Sequence, residues 1–255
     1  MSLKDILGVT EHNNITRAMR MLESNTCILF RKRSSEEDYI DIQSEEGEGC
    51  RAPVGRYGGR NVVVLEASKL GTCLELDTVA HELLHVIGLH HEHVRDDRDN
   101  YIKVHWENIE KGHSHQASAT TFSGNLLHSF ESQFSKVVSD QAISHGVEYD
   151  YLSIMHYAKD ASAKPGTISL ETLDSAYQDL IGKQKEPSKG DYMKVCKIYN
   201  CKECMGEPML PQSITPSECR DRLWQCPNFV SKADDCYHYS VVENCCATCS
   251  RVNRS

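Results

Sequence analysis

Three histidines, His81, His85 and His91, are set around one glycine, Gly88, and nothing else in the 255-residue chain restricts its folding as much. Two imidazoles four residues apart on a helix stand one above the other, about one turn and ~6 Å along its axis, so both rings reach a single ion. Gly88 can take the positive φ that breaks the helix, and the chain then turns back to bring His91 to that ion from a third side. Imidazole nitrogen binds zinc at roughly 2.0–2.1 Å, and three neutral ligands leave a coordination position open, as a catalytic site requires. Glu82, next to the first ligand, lies beside the ion and is placed to take a proton from water there and pass it to a leaving amine. HExxH alone arises by chance in a few per cent of chains this long, whereas HExxHxxGxxH does so in only about one in ten thousand. His90 and His93 are off the register of the pattern and are expected at the surface or supporting the ligands. One Zn2+ per chain is the expected cofactor.

Composition narrows the setting. The chain has 12 cysteines, and the six from Cys219 to Cys249 crowd into its last part, which calls for an oxidising compartment unless they hold metal. The opening Met1-Ser2-Leu3-Lys4-Asp5 does not lead into the apolar stretch of ~7–15 residues that marks a secretory signal. The expectation is a secreted protein whose first segment lies outside this sequence. No run approaches the ~20 apolar residues of a membrane span. The formal charge of −9 argues against nucleic acid, and the one basic cluster, Arg31-Lys32-Arg33, is offset by Glu36, Glu37 and Asp38.

Periodicity supplies the elements. Ile15, Ala18, Met19 and Leu22 predict an amphipathic helix over 12–24. Residues 26–30, 39–42 and 61–66 read as strands, separated by glycine-rich turns at 47–49 and 55–59. The metal-binding helix should start at Asp77, as its N-cap, and end at Gly88. Pro187, Ser188 and Asp191 announce a last helix, ahead of the stripe Tyr192, Val195, Cys196, Tyr199. The polar stretch 117–132 reads as a long surface loop. Residues 202–218 hold three of the seven prolines and read as a linker between a domain over 1–201 and a cysteine-dense one over 219–249, with 250–255 as a tail.

The run from His81 to Glu92, continued by Arg95, Asp97, Arg98 and Asp99, resembles the extended signature of the astacin family within the metzincins. Tyr149-Asp150-Tyr151-Leu152-Ser153-Ile154-Met155-His156-Tyr157 resembles that family's Met-turn. The resemblance covers 15–201 and implies an α+β fold of two subdomains, a twisted sheet and active-site helix above a cleft and an irregular lower part. By the same resemblance Met155 is an apolar floor under the zinc, and Tyr157 is a fifth ligand that swings away to stabilise the oxyanion. Glu92 is implied to be buried and to receive the freed amino terminus of the mature enzyme. Cys50 with Cys73 and Cys27 with Cys201 match the family's disulfides; Cys196 and Cys204 are then left over, and a bridge between them is arithmetic only. The tail resembles the six-cysteine module first known from a sea-anemone toxin (ShK) and often appended to nematode astacins, which implies Cys219–Cys249, Cys226–Cys245 and Cys236–Cys246. The adjacent Cys245-Cys246 departs from the usual spacing, and His238 before Tyr239 replaces the toxin's Lys-Tyr pair, which argues against channel blocking.

These readings imply a metalloendopeptidase acting on peptide bonds of extracellular proteins, with Glu82 and Tyr157 as its catalytic groups. A monomer is expected, its tail binding extracellular matrix or protein partners. The competing reading is a non-catalytic secreted protein that works through the cysteine-rich tail, and intact Glu82 and Tyr157 count against it. A toxin-like fragment released from the tail would need a dibasic cleavage site, and residues 206–218 contain none.

Overall fold

The computed structural model describes residues 9–68, 71–111, 130–137 and 143–209, together with 226 and 248. The first helix, α1 (Val9–Asn25), brackets the expected 12–24 and buries Ile15, Ala18 and Leu22 along one stripe. That stripe packs on α2 (Leu76–Ile87), whose Val79, Ala80, Leu83, Leu84 and Ile87 are buried in the same cluster. Each buried Leu, Ile or Val among them contributes about 1.5–3 kcal/mol relative to its exposed state, so the α1–α2 contact is a main prop of the helix that carries two of the histidines.

Strands β1 (Tyr39–Gln43), β2 (Cys50–Arg51) and β3 (Arg60–Leu65) form a sheet in the order β1-β3-β2. β1 runs parallel to β3, Tyr39 opposite Arg60, and β2 antiparallel to it, Cys50 opposite Leu65. Central β3 ends in the buried run Val63-Val64-Leu65, the continuous apolar pattern of a strand covered on both faces. Residues 26–30, expected as a strand, form no ladder. Their polar groups are taken by side chains instead: Thr26 Oγ1 donates to Leu22 O, Ile28 N donates to Thr26 Oγ1, and Phe30 N donates to Glu23 Oε1. Such local bonds compete with sheet pairing.

Helix α2 begins two residues before the expected start. Glu75 is its N-cap residue, and Asp77 sits inside the first turn, where a carboxylate is favoured by the helix dipole. Helix α3 (Lys189–Ile198) starts at the Ser188/Asp191 capping box that the sequence announces. Residues at the head of the expected linker are ordered against the domain: β6 (Glu203–Cys204) and β7 (Glu207–Pro208) pair, and Met205 N donates to Asn25 O. A disulfide joins Cys196 to Cys204, and two others join Cys27 to Cys201 and Cys50 to Cys73. The Cys27–Cys201 bridge closes 174 residues of separation. In the chain-entropy account a loop of that order restrains the unfolded state by roughly 4–5 kcal/mol.

A second apolar cluster gathers Ile102, Ile109, Phe134, Tyr149, Leu170 and Ile181 around the pair β4 (Ile102–Val104) and β5 (Leu170–Thr172). Of the expected loop 117–132, residues 117–129 lie outside the described residues, and Phe130–Phe134 is a short 3-10 helix that buries Phe134. The expected tail domain and its bridges Cys219–Cys249, Cys226–Cys245 and Cys236–Cys246 likewise lie outside them, except that Cys226 is buried and disulfide-bonded. Among the described residues no helix is long and apolar enough to cross a membrane.

Candidate metal centre

Helix α2 presents His81 and His85 one turn apart, and the turn behind it delivers His91. Gly88 has φ 118°, and its N–H and that of Leu89 close on the carbonyls of His85 and Leu84. That double closure is a Schellman ending, which a residue with a Cβ would enter only with strain. The Nε2 atoms of His81 and His85 each lie 3.2 Å from Nε2 of His91.

The outer ring nitrogens show what the inner ones can be. His81 Nδ1 faces Ile154 O at 2.9 Å, and His85 Nδ1 faces Leu89 O at 2.8 Å. A carbonyl only accepts, so both Nδ1 atoms carry protons and both Nε2 atoms point bare lone pairs inward. One N–H from His91 could at best be shared between the two, whereas a cation at the centre satisfies all three. Ligands about 2.05 Å from a tetrahedral ion stand ~3.3 Å apart, close to the observed spacing. These three histidines are the one group of metal-ligating side chains gathered within reach of a common ion among the described residues. The donor set therefore fits zinc, the cofactor of this centre.

Glu82, beside the first ligand, is buried, and its Oε2 has no hydrogen-bond partner among the described residues. Burial pushes its carboxyl up to about 7, which suits a group that accepts and returns a proton near neutrality. Tyr157 packs its ring 4.6 Å from that of His91 and stacks on His93 at 3.9 Å. Its hydroxyl donates to Gln133 Oε1 at 3.3 Å. Burial, and then the nearby Glu82 carboxylate, raise the phenol above its ordinary value. His93 is fully buried, with Nε2 donating to Gln133 O at 3.1 Å, and His90 is half-buried.

Met155 is fully buried, and its carbonyl accepts the N–H of Glu92 at 2.9 Å. Glu92, 1% exposed, accepts Arg95 Nη1 and the Asp150 N–H at Oε1, and the ammonium at its Oε2 is that of Lys194. Asp191 on α3 accepts Ser153 Oγ, Ile154 N and Ser188 N, so one buried carboxylate both caps a helix and holds the peptide whose carbonyl orients His81. Sequence reasoning missed Lys194, Gln133 and this second duty of Asp191. A signal existed for two of them: Asp191, Lys194 and Val195 share one face of α3, and a lysine on a buried face needs a carboxylate partner.

The burial of these rings gives the metal-free protein a defined pH response. Burial holds His85 and His93 at about 3 and lowers His81, His91 and His156 from the ordinary value. Bases with depressed folded-state pKa values bind fewer protons folded than unfolded, so stability rises with pH up to about 6.5. Glu82 and Asp191, both raised by burial, act in the opposite sense, and five rings outweigh two carboxyls. Calorimetry in excess chelator should show Tm climbing between about pH 4 and 6.5. A flat or falling Tm would contradict the buried neutral rings.

Comparison with known proteins points one way. The family model described as Astacin, a peptidase family, matches residues 2–200. Zinc metalloproteinase nas-5 of Caenorhabditis elegans is 39% identical over 260 residues, covering 94% of this chain and 66% of that protein. Low choriolytic enzyme of Oryzias latipes is 34% identical over 191 residues, covering 75% of this chain and 61% of that protein. Among solved structures, high choriolytic enzyme 1, a hatching enzyme zinc-protease from Oryzias latipes, superposes with a TM-score of 0.64 at 30% identity, covering 78% of this chain and 86% of that one. The chain thus spans at most 66% of the length of these two curated relatives.

Proposed function

Because the chain belongs to the astacin family of peptidases, we propose that it is a zinc-dependent endopeptidase that hydrolyses peptide bonds of extracellular proteins. The observation that carries the reading is the convergence of three imidazole Nε2 atoms, together with Glu82, which follows His81 in sequence, is buried and has an Oε2 without a hydrogen-bond partner among the described residues. Zinc held by His81, His85 and His91 supplies Lewis acidity, lowering the pKa of water toward neutrality and polarising a carbonyl oxygen. Glu82 takes the proton that water gives up and hands it to the leaving amine nitrogen. The carbonyls of Ile154 and Leu89 keep His81 and His85 in the tautomer with Nε2 bare. Tyr157 leaves Gln133 and donates its hydroxyl to the oxyanion, a contact made only as the transition state forms.

Three disulfides among the described residues support an oxidising, extracellular setting. The cysteine-dense segment 219–249 is assigned matrix or protein binding, and the protein is assigned as a monomer. The test is casein cleavage by the purified chain with and without 1,10-phenanthroline. Activity should fall to background in the chelator and return on adding Zn2+. Equal cleavage in both, or none in either, would turn the assignment to a non-catalytic protein that works through its tail.

A further inference from the structure

Glu92 immediately follows the third histidine and is sealed in the interior, so its negative charge needs a positive partner that is itself inside. The structure provides one from far along the chain. Lys194 on α3, also buried, places its ammonium on Glu92 Oε2, while Oε1 takes Arg95 Nη1 at 3.0 Å and the Asp150 N–H at 2.9 Å. Among the described residues, every contact of that carboxylate comes from within the domain, and the backbone N–H of Glu92 is held by Met155 O. The residue carrying the third ligand's neighbouring peptide is thereby tied to three segments at once: α3 through Lys194, the turn at 148–150 through Asp150, and the 153–155 turn through Met155.

We propose that Lys194 is a positioning residue for the metal centre. Its ammonium is the internal counter-charge that locks Glu92, and through it His91, so that zinc binding requires no cation delivered from elsewhere, the chain's own α-amine included. The α3 helix thereby acts on two of the three ligands. Lys194 fixes the segment of His91, and Asp191, one turn earlier, fixes the Ile154 peptide that orients His81. Two ionic or hydrogen-bonded anchors on one helix face make the approach of the ligands depend on how α3 is docked, a coupling that a local helix-turn motif does not have.

The inference uses the zinc reading of the site, and the proteolytic reading enters only its activity measurement. Zinc affinity is therefore read by competition with a chromophoric chelator, which reports whether or not the protein cleaves anything. In the full chain, Lys194→Met should weaken zinc binding about 10–100-fold, the range found when a partner behind a metal ligand is lost. The double variant Glu92→Gln/Lys194→Met, which removes both charges, should recover most of that loss, since what harms the single variant is the carboxylate left buried and unpaired. Recovery separates charge compensation from mere packing, and it keeps the test usable if the single variant folds poorly. Acetylating the α-amine, or extending the chain by a short Gly-Ser segment, should leave zinc affinity within about 2-fold, because no α-amine is needed at Glu92. The proposal is overturned if Lys194→Met binds zinc like the parent, if the double variant is no better than the single one, or if blocking the α-amine weakens zinc as much as Lys194→Met does. Loss of casein cleavage with zinc affinity intact would count against the proteolytic assignment alone.

Discussion

Glu82→Gln should leave zinc bound and the fold intact while lowering kcat/KM by about 10²–10⁴-fold, the usual contribution of a positioned general acid-base. The amide has nearly the shape of the carboxyl it replaces, so the packing of α2 is untouched and the three ligand nitrogens keep their places. What disappears is the capacity to accept a proton at a buried oxygen that has no partner among the described residues, on a carboxyl poised by burial at about 7. The loss should fall on kcat, with KM nearly constant, because the proton moves only on the way to the transition state. Zinc content by metal analysis and cleavage of a quenched peptide by the same preparation make the check. Cleavage at the parent rate would remove Glu82 from the mechanism, and loss of zinc would mean that its role is structural.

Asp191→Ala should be the most damaging single substitution among the residues that support the site. Its carboxylate is fully buried and accepts from Ser153 Oγ at 2.6 Å, Ile154 N at 3.0 Å and Ser188 N at 2.9 Å. Truncation leaves three donors without an acceptor in the interior and opens a cavity as well. The expected loss is about 3–5 kcal/mol, the range for removing one member of a buried charged network. A second effect separates this residue from an ordinary core position. Ile154 donates to Asp191 and accepts from His81, so a loosened Ile154 peptide loosens a ligand, and zinc affinity should fall about 10-fold or more. Urea unfolding of the zinc-loaded chain measures the first effect and chelator competition the second. An unchanged urea midpoint would show that the network carries no net stability.

What the sequence determined by itself is what short-range geometry specifies. The i, i+4 histidines, the glycine that ends their helix, the Ser188/Asp191 box and the apolar stripes of α1 and α2 each depend on residues within a turn or two of one another, and each is where the periodicity puts it. Even at this range the reading failed where side chains could displace a ladder, as Thr26 and Glu23 do over 26–30. The family resemblance, read from residues 81–99 and 149–157, carried the α+β fold and the pairing of histidines with a later Met-Tyr segment. Only the tertiary structure decided which groups stand behind the ligands. Ile154 O reaches His81 across 73 residues, and Lys194 reaches Glu92 across 102. Such contacts have no period and no local spacing. They exist because closing the chain brings α3 and the 153–155 turn against α2, and because a charge or an N–H buried by that closure must find its partner among whatever groups are buried with it.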